Sequence, residues 1–154
     1  MASPLQQNMN IRDVHDKYKL TNVIAGVDGC HFVFGQKPRG IPAGRTHIDF
    51  INRKGAYSIN VQIVGGFDRR IYDILCQAPG SFHDAAIWGQ SDALAWFRKE
   101  FPYKFILGDR AYPQSEFLMT PYSEREVRLD DMKALYNIRH SGAMLEMTEY
   151  LWHA

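Results

Sequence analysis

Cysteine is scarce in this sequence, which contains only Cys30 and Cys76. The two lie far apart and form no Cys-X-X-Cys pair, so the chain offers neither a disulfide framework nor a zinc site with ligands at the usual spacing. Such isolated cysteines are typical of reduced thiols inside the cell. A glycine-rich loop ending in Lys-Ser or Lys-Thr is also missing, which excludes the common phosphate-binding loop of nucleotide hydrolases.

Long apolar runs and an excess of charge are missing as well. No run approaches the roughly 20 residues that span a bilayer, so we expect no membrane partner. The formal net charge is +1, and a chain without an overall basic field is poorly suited to bind nucleic acid by itself. We therefore expect a soluble intracellular protein.

What the sequence does have is enough apolar material for one folded domain. It contains 154 residues, of which 45% are hydrophobic and 13% aromatic. A chain of this size buries a substantial core, and the composition is that of a globular protein. We expect one core over residues 20–154, preceded by an N-terminal tail and short helix over residues 1–19.

Hydrophobic periodicity and turn residues predict the order of the elements. Polar and apolar residues alternate without error over residues 57–64, which predicts a half-buried strand. A strand-rich segment followed by a helix and a further strand is typical of an α+β or α/β sandwich. The predicted elements are a loose tail at 1–10, a helix at 11–18, strands at 20–26 (with a break at Gly29), 57–64, 70–76 and 104–109, one helix from about 84 to Pro102, an irregular apolar loop at 117–122, and helical structure from 124 to 151.

Two aspartates follow short apolar runs that are far apart in the chain. Asp28 follows the first predicted strand, and Asp109 follows the strand over residues 104–108. Two strands that each finish in aspartate predict a carboxylate pair at one edge of a sheet. Local chemistry leaves other interpretations open, because Asp28 with Gly29 also reads as a turn and Asp109 with Arg110 as a surface ion pair.

A third carboxylate, Asp84, lies at the start of the predicted helix. Asp84 or Ser81 could cap that helix by accepting hydrogen bonds from its free N–H groups. Alternatively, carboxylates from separate segments could together hold two Mg²⁺ or Mn²⁺ ions, which prefer oxygen ligands and support phosphodiester cleavage. Both interpretations of Asp84 stay open.

The strongest local basic excess lies between residues 37 and 54. Against a single acid, Asp49, this segment carries five basic side chains: Lys37, Arg39, Arg45, Arg53 and Lys54. A solvated surface loop is one interpretation. The other is a loop that contacts nucleic-acid phosphates beside Asp28.

Five separated blocks agree, in order, with those of one known family: Asn22–His31, Phe50–Gln62, Pro79–Trp88, Leu107–Pro113 with Leu118–Tyr122, and Tyr136–Ser141. They resemble the Harbinger (PIF) transposases and the nuclease derived from them, a family with a DDE endonuclease domain. The resemblance covers residues 20–143.

This resemblance implies an α/β fold of the RNase H-like type, with a mixed sheet (an antiparallel meander plus a parallel strand) flanked by helices. It implies that Asp28 and Asp109 are catalytic metal ligands, with Asp84 at a recurrent acidic position that is either a ligand or a cap. It further implies a Mg²⁺ or Mn²⁺ cofactor, a DNA substrate contacted through Lys37, Arg45, Arg53 and Lys54, and a nuclear location, with the cytoplasm as a second location.

The chain departs from the family near its C-terminus. The position of the family's catalytic glutamate, counted from His140 and Ser141, holds Thr148, with Glu146 and Glu149 beside it. Because one residue rotates a helical side chain by about 100°, neither glutamate replaces it automatically; Glu149 is the preferred third catalytic acid. We expect a C-terminally truncated nuclease core or, alternatively, a decayed domain that binds DNA or a protein partner.

Overall fold

The computed structural model describes the backbone of residues 4–152 and the side chains of residues 11–76 and 78–152. Five strands and five α-helices occur in this range. The strands are β1 Val23–Val33, β2 Ser58–Gly66, β3 Ile71–Pro79, β4 Phe105–Gly108 and β5 Leu118–Met119. The helices are α1 Pro4–Tyr18, α2 Asp84–Gln90, α3 Ala93–Glu100, α4 Glu124–Val127 and α5 Asp131–Trp152.

The five strands form one mixed sheet in the order β3-β2-β1-β4-β5. Strands β1, β2 and β3 form an antiparallel meander, whereas β4 joins β1 and β5 joins β4 in parallel. The sheet is flanked by helices, so the structure confirms the predicted α/β architecture of a meander plus a parallel strand.

The sheet lies between two apolar layers. On one face, Ala25 and Val27 of β1 pack with Trp88 of α2 and Phe97 of α3. On the other, Val23 packs with buried residues of α1, β4 and α5, among them Val14, Leu107, Ala143 and Met147. A register shift between Val23 and Ala25 explains how two residues an even number apart reach opposite layers, because a bulge reverses the alternation.

Two strand predictions are wrong in their details. Strand β1 runs through Gly29 without the predicted break, and Asp28 pairs with Ile63 of β2, which rules out the turn interpretation of Asp28. Strand β2 is buried along nearly its whole length, including the polar residues Asn60 and Gln62. The predicted half-exposed strand becomes buried because helices cover both faces of the sheet.

Three further predictions need correction. Residues 4–10 are part of helix α1 and not a loose tail; residues 1–3 of that predicted tail lie outside the described residues. The helix predicted from about residue 84 is divided into α2 and α3, where the Ser91 hydroxyl accepts a hydrogen bond from the Ala93 N–H. The short strand β5 lies in the segment predicted to be an irregular loop.

Candidate active site

The sheet register brings Asp28 and Asp109 together. Val27 of β1 is the parallel partner of Gly108, the last residue of β4. Asp28 directly follows Val27, and Asp109 directly follows Gly108. Because β4 ends at Gly108, it does not pair with β1 beyond Val27. The two acids are therefore brought to neighbouring positions, as the sequence predicted, although Asp28 lies within β1 and not at its end.

Asp28 lies in a partly buried environment under the end of α5. Its Oδ2 accepts a hydrogen bond from the indole Nε1–H of Trp152 at 2.8 Å. Burial raises the pKa of Asp28, and the hydrogen bonds from Trp152 and the Gly29 backbone oppose that shift. The negative charges of Asp109 and Asp84 raise the pKa further.

Asp109 is exposed and is held by its own turn. Its Oδ1 accepts a hydrogen bond from the Ala111 N–H at 2.8 Å. Arg110 donates instead to the carbonyl of Tyr122 at 3.2 Å, and no ion pair joins Arg110 to Asp109 in the described part of the chain. The surface ion pair considered from the sequence is therefore not formed.

Asp84 is on the other face of the sheet from Asp28. A Cβ atom added to Gly29 would lie 2.4 Å from Asp84 Oδ1, whereas one added to Gly26 would meet Met147 of α5 at 2.4 Å. Successive residues of a strand point to opposite faces, and Asp28 shares its face with Gly26. The structure therefore separates Asp84 from Asp28 by the thickness of β1.

The capping interpretation of Asp84 and Ser81 is also wrong. Helix α2 begins at Asp84, and its N-cap position is occupied by His83 without a side-chain cap bond. Asp84 Oδ1 instead accepts a hydrogen bond from Asn60 Nδ2 of β2 at 2.8 Å. Asp84 thus connects helix α2 to the sheet.

The position on α5 at which the family resemblance places a glutamate holds Thr148 and not an acid. The Thr148 hydroxyl donates within its own helix, to the carbonyls of Met144 and Leu145 at 3.0 and 3.1 Å. Thr148 and Trp152 are four residues apart and lie on neighbouring parts of one helix surface. In the described residues, Trp152 is the member of α5 that forms a hydrogen bond with Asp28.

The structure distinguishes the two glutamates beside Thr148. Glu146 accepts hydrogen bonds from Lys17 and Tyr18 of α1, so its carboxylate is bound on another side of the helix. Glu149 is exposed and lies three residues before Trp152, on an adjacent part of the helix surface. The assignment of Glu149 as third catalytic acid stays a prediction.

The donor set around Asp28 and Asp109 suits a hard divalent cation. Both contribute carboxylate oxygens, the ligands that Mg²⁺ and Mn²⁺ prefer. Among the described side chains, residues 11–76 and 78–152, no ion pair involves either acid. No group of three or more His, Cys, Asp or Glu side chains arranged to hold a metal is present among the described residues. The structure thus provides two carboxylates and not a complete ligand set.

His140 connects α5 to the strands that carry this site. It is buried, and its Nε2 lies 3.1 Å from the carbonyl of Met119 in β5. Burial lowers its pKa, while backbone hydrogen bonds to Met119 and Gly108 and the charge of Asp109 oppose that shift. His140 therefore fixes the position of α5 beside Asp109.

Two of the predicted DNA-contacting residues line a groove beside Asp84. Arg53 and Lys54 border it together with Phe82 and His83. The Arg45 guanidinium lies 5.3 Å from the centroid of the Phe82 ring. Lys37 is exposed and is not among the groove residues. The basic segment is therefore divided between the groove and the surface around it.

Sequence reasoning missed two residues of the site. Trp152 carries no sequence signal except its spacing of four residues from Thr148. Tyr112 follows Asp109 closely, yet nothing local shows that its hydroxyl is buried without a hydrogen-bond partner in the described structure. Burial raises the pKa of Tyr112, and the charges of Asp84, Asp28 and Asp109 add to this effect.

The chain is similar to proteins of one family. The family described as DDE superfamily endonuclease matches residues 27–149. The protein named "Putative nuclease HARBI1" of Mus musculus is 26% identical over 120 residues, covering 77% of this chain and 32% of the mouse protein. The protein of that name from Rattus norvegicus is 27% identical over 124 residues, covering 80% of this chain and 33% of the rat protein.

The chain spans about a third of the length of these two relatives. No solved structure matches it. No helix within residues 4–152 has the combination of length and apolarity that crossing a membrane requires. The family match extends over most of the sequence, and the sheet order and flanking helices agree with an RNase H-like fold. The chain therefore belongs to the DDE superfamily endonuclease family.

Proposed function

We propose that this chain is a transposase-derived nuclease core that hydrolyses DNA phosphodiester bonds with a divalent metal ion. The observation that carries the proposal is the placement of Asp28, within β1, next to Asp109, which directly follows the last residue of the neighbouring strand β4. Their carboxylates face no protein cation within the described residues. Membership of the endonuclease family supports the same chemistry.

Asp28 and Asp109 would hold the cation, with Glu149 as the proposed third acid. A bound Mg²⁺ or Mn²⁺ supplies an activated water and stabilises the leaving oxygen of the cleaved bond. Asp28 must be deprotonated to bind, and its raised pKa makes protons compete with the cation at acid pH. Trp152 holds one Asp28 oxygen, which leaves the other for the metal.

Lys37, Arg45, Arg53 and Lys54 would contact the phosphate backbone of the DNA. The net charge of +1 gives the chain little general attraction for nucleic acid. We therefore propose that a protein partner strengthens DNA binding. A DNA substrate also implies a nuclear location, with the cytoplasm as a second location.

The test is cleavage of supercoiled plasmid DNA by the purified chain with Mg²⁺, with Mn²⁺ and with EDTA. Asp28→Asn and Asp109→Asn should each lower metal-dependent cleavage more than about a hundredfold, since even changes around metal ligands cost 10- to 100-fold. Asp13→Asn, an exposed change on α1, is the matched control. Metal-dependent cleavage that survives both site substitutions would contradict the assignment.

A second candidate function is a binding module without catalysis. Two observations favour it: Trp152 occupies an oxygen of Asp28, and Thr148 stands where the family resemblance places a glutamate. In this case the chain should bind DNA or a protein partner, and calorimetry should detect divalent-metal binding without cleavage.

A further inference from the structure

A groove of about 440 Å³ opens beside β1, on the face of the sheet opposite Asp28. Gly29 and His31 of β1 line its wall, and Asp84, on the same face as Gly29, lines it from α2. Its volume falls within the range of roughly 300–1,000 Å³ that is usual for small-molecule sites. It is large enough for more than a phosphate group alone.

The groove carries positive charge at its rim on a well-fixed turn. Arg53 and Lys54 lie in a turn in which buried Asn52 Oδ1 accepts hydrogen bonds from the backbone N–H groups of Lys54 and Ala56, at 2.9 and 3.1 Å. Gly55 closes the turn with φ +77°, a conformation that favours glycine. Neither basic side chain forms an ion pair in the described part of the protein. Arg53 Nη2 lies 2.5 Å from Nδ1 of His83, which also lines the groove, and Lys54 is exposed. Two cations at the rim that form no ion pair are suited to an anionic group.

The interior of the groove has the opposite character. Asp84 is half-buried, and the hydrogen bond from Asn60 to its Oδ1 holds it in place. Asn60 is 2% exposed, and its own Oδ1 has no hydrogen-bond partner among the described groups. The half-buried Asp84 carboxylate therefore offers the groove a hydrogen-bond acceptor, which suits a ligand that donates N–H groups.

We propose that this groove binds one unpaired nucleotide of a DNA strand, with its phosphate at Arg53 and Lys54 and its base toward Asp84. A nucleotide combines an anionic phosphate with a base that carries an aromatic face, and adenine, cytosine and guanine also carry an exocyclic amino group. Phe82, at the wall of the groove, provides an aromatic surface on which a base can stack. The inference rests on the proposed DNA substrate and adds a second site, across β1 from Asp28 and Asp109.

The first experiment measures binding of inorganic phosphate, dCMP and dTMP to the full chain by NMR titration in EDTA, so that no metal contributes. We expect dCMP to bind roughly tenfold more tightly than dTMP, because cytosine donates an amino group to Asp84 whereas thymine has a carbonyl there. Phosphate alone should bind more weakly than either nucleotide. Equal affinities for dCMP, dTMP and phosphate would overturn the proposal.

The second experiment uses the double substitution Arg53→Gln and Lys54→Gln, with exposed Lys99→Gln on α3 as control. The double variant should lose at least about tenfold in dCMP affinity, since it removes two charge-assisted phosphate contacts. Lys99→Gln should bind as the parent does, and circular dichroism checks the fold of each variant. An equal loss in the control would assign binding to general charge and not to the groove.

A third variant, Asp84→Asn, tests the base contact. It should reduce the preference for dCMP over dTMP while phosphate binding stays unchanged, and an unaltered preference would contradict the role of Asp84. These measurements need no cleavage, so failure of the groove and failure of the nuclease proposal are distinguishable. A chain whose cleavage depends on Asp28 but whose groove binds no nucleotide would overturn the groove alone.

Discussion

The strand-borne acids and the helix-borne third position of the candidate site differ in how they are placed. Asp28 and Asp109 follow strand residues that pair directly in the sheet. On helix α5 the corresponding region presents Thr148, bonded to its own helix, and Trp152, bonded to Asp28. The two strand-borne carboxylates of the site are therefore side by side. Among the described residues, no carboxylate of α5 forms a hydrogen bond with either of them.

This difference shows how two kinds of element tolerate sequence change. Ladder hydrogen bonds fix a strand residue against its neighbour, so the pair Asp28 and Asp109 is set by register. A helix changes direction by about 100° for each residue, so a glutamate displaced by one position from 148 points elsewhere. Helix α5 itself is well anchored, through buried His140 and through Met147 against Gly26.

Thr148→Glu should produce the strongest change, a gain of metal binding and of cleavage. A carboxylate at this position, one turn before Trp152, should complete the acidic set and tighten Mn²⁺ binding by at least about tenfold. Isothermal titration with Mn²⁺ measures the affinity, and plasmid cleavage measures the activity.

The matched change for this prediction is Glu149→Gln in the same background. If position 148 supplies the third ligand, the parent's Glu149 becomes dispensable once Thr148→Glu is present. Unchanged metal affinity in Thr148→Glu, together with loss in Glu149→Gln alone, would contradict the expected gain at position 148 and support the proposed role of Glu149 as the third ligand.

A pair of glycine substitutions tests the separation of the two faces of β1. Gly29→Ala places a methyl group 2.4 Å from the Asp84 carboxylate, which is held by Asn60, and should lower the free energy of unfolding by about 1–3 kcal/mol. Gly26→Ala meets the flexible end of Met147 at the same distance and should be milder. Urea denaturation measures both; a larger loss from Gly26→Ala would contradict the packing described for the two faces.

Removal of the Trp152 hydrogen bond should have a smaller effect. Trp152→Phe keeps an aromatic ring beside Phe32, whose centroid is 6.3 Å away, but no longer donates to Asp28. We expect metal binding at pH 8 to tighten about fivefold, because one hydrogen bond worth about 1 kcal/mol no longer competes for the carboxylate. Weaker binding in Trp152→Phe would instead show that the indole positions Asp28 for the metal.

The smallest effect concerns stability and pH in the metal-free chain. Because the folded-state pKa of Asp28 is raised above its usual value of 3.8, the native state holds this proton more tightly than the unfolded chain does. The free energy of unfolding therefore falls as the pH rises from near 3.8 through the native pKa.

Asp28→Asn removes this penalty, so the variant should be more stable than the parent at pH 7 and should lose that advantage below about pH 4. Urea denaturation in EDTA at several pH values measures the difference. Asp13→Asn on the surface of α1 should stay within about 0.5 kcal/mol of the parent. A stability difference for Asp28→Asn that does not change with pH would contradict the burial of its charge.

The sequence predicted much of the fold because its strands have strong apolar patterns. It predicted β2, β3 and β4 to within a few residues, and the helical segment that contains α5, because periodicity reports which side chains must be buried. It missed the break at Ser91, the N-terminal half of α1 and the short strand β5, where local propensity is weak and tertiary contacts decide.

The sequence itself predicted that Asp28 and Asp109 lie together, because each follows an apolar run that forms a strand. The tertiary structure showed that only Asp109 follows the end of its strand, whereas Asp28 lies within β1. The tertiary structure decided which acids share a face. It placed Asp84 across β1 from Asp28, bound Glu146 to α1, and brought Trp152 to Asp28 from 124 residues away. Sequence spacing could not show these contacts, because the face that a side chain reaches depends on register and helix packing between segments far apart in the chain.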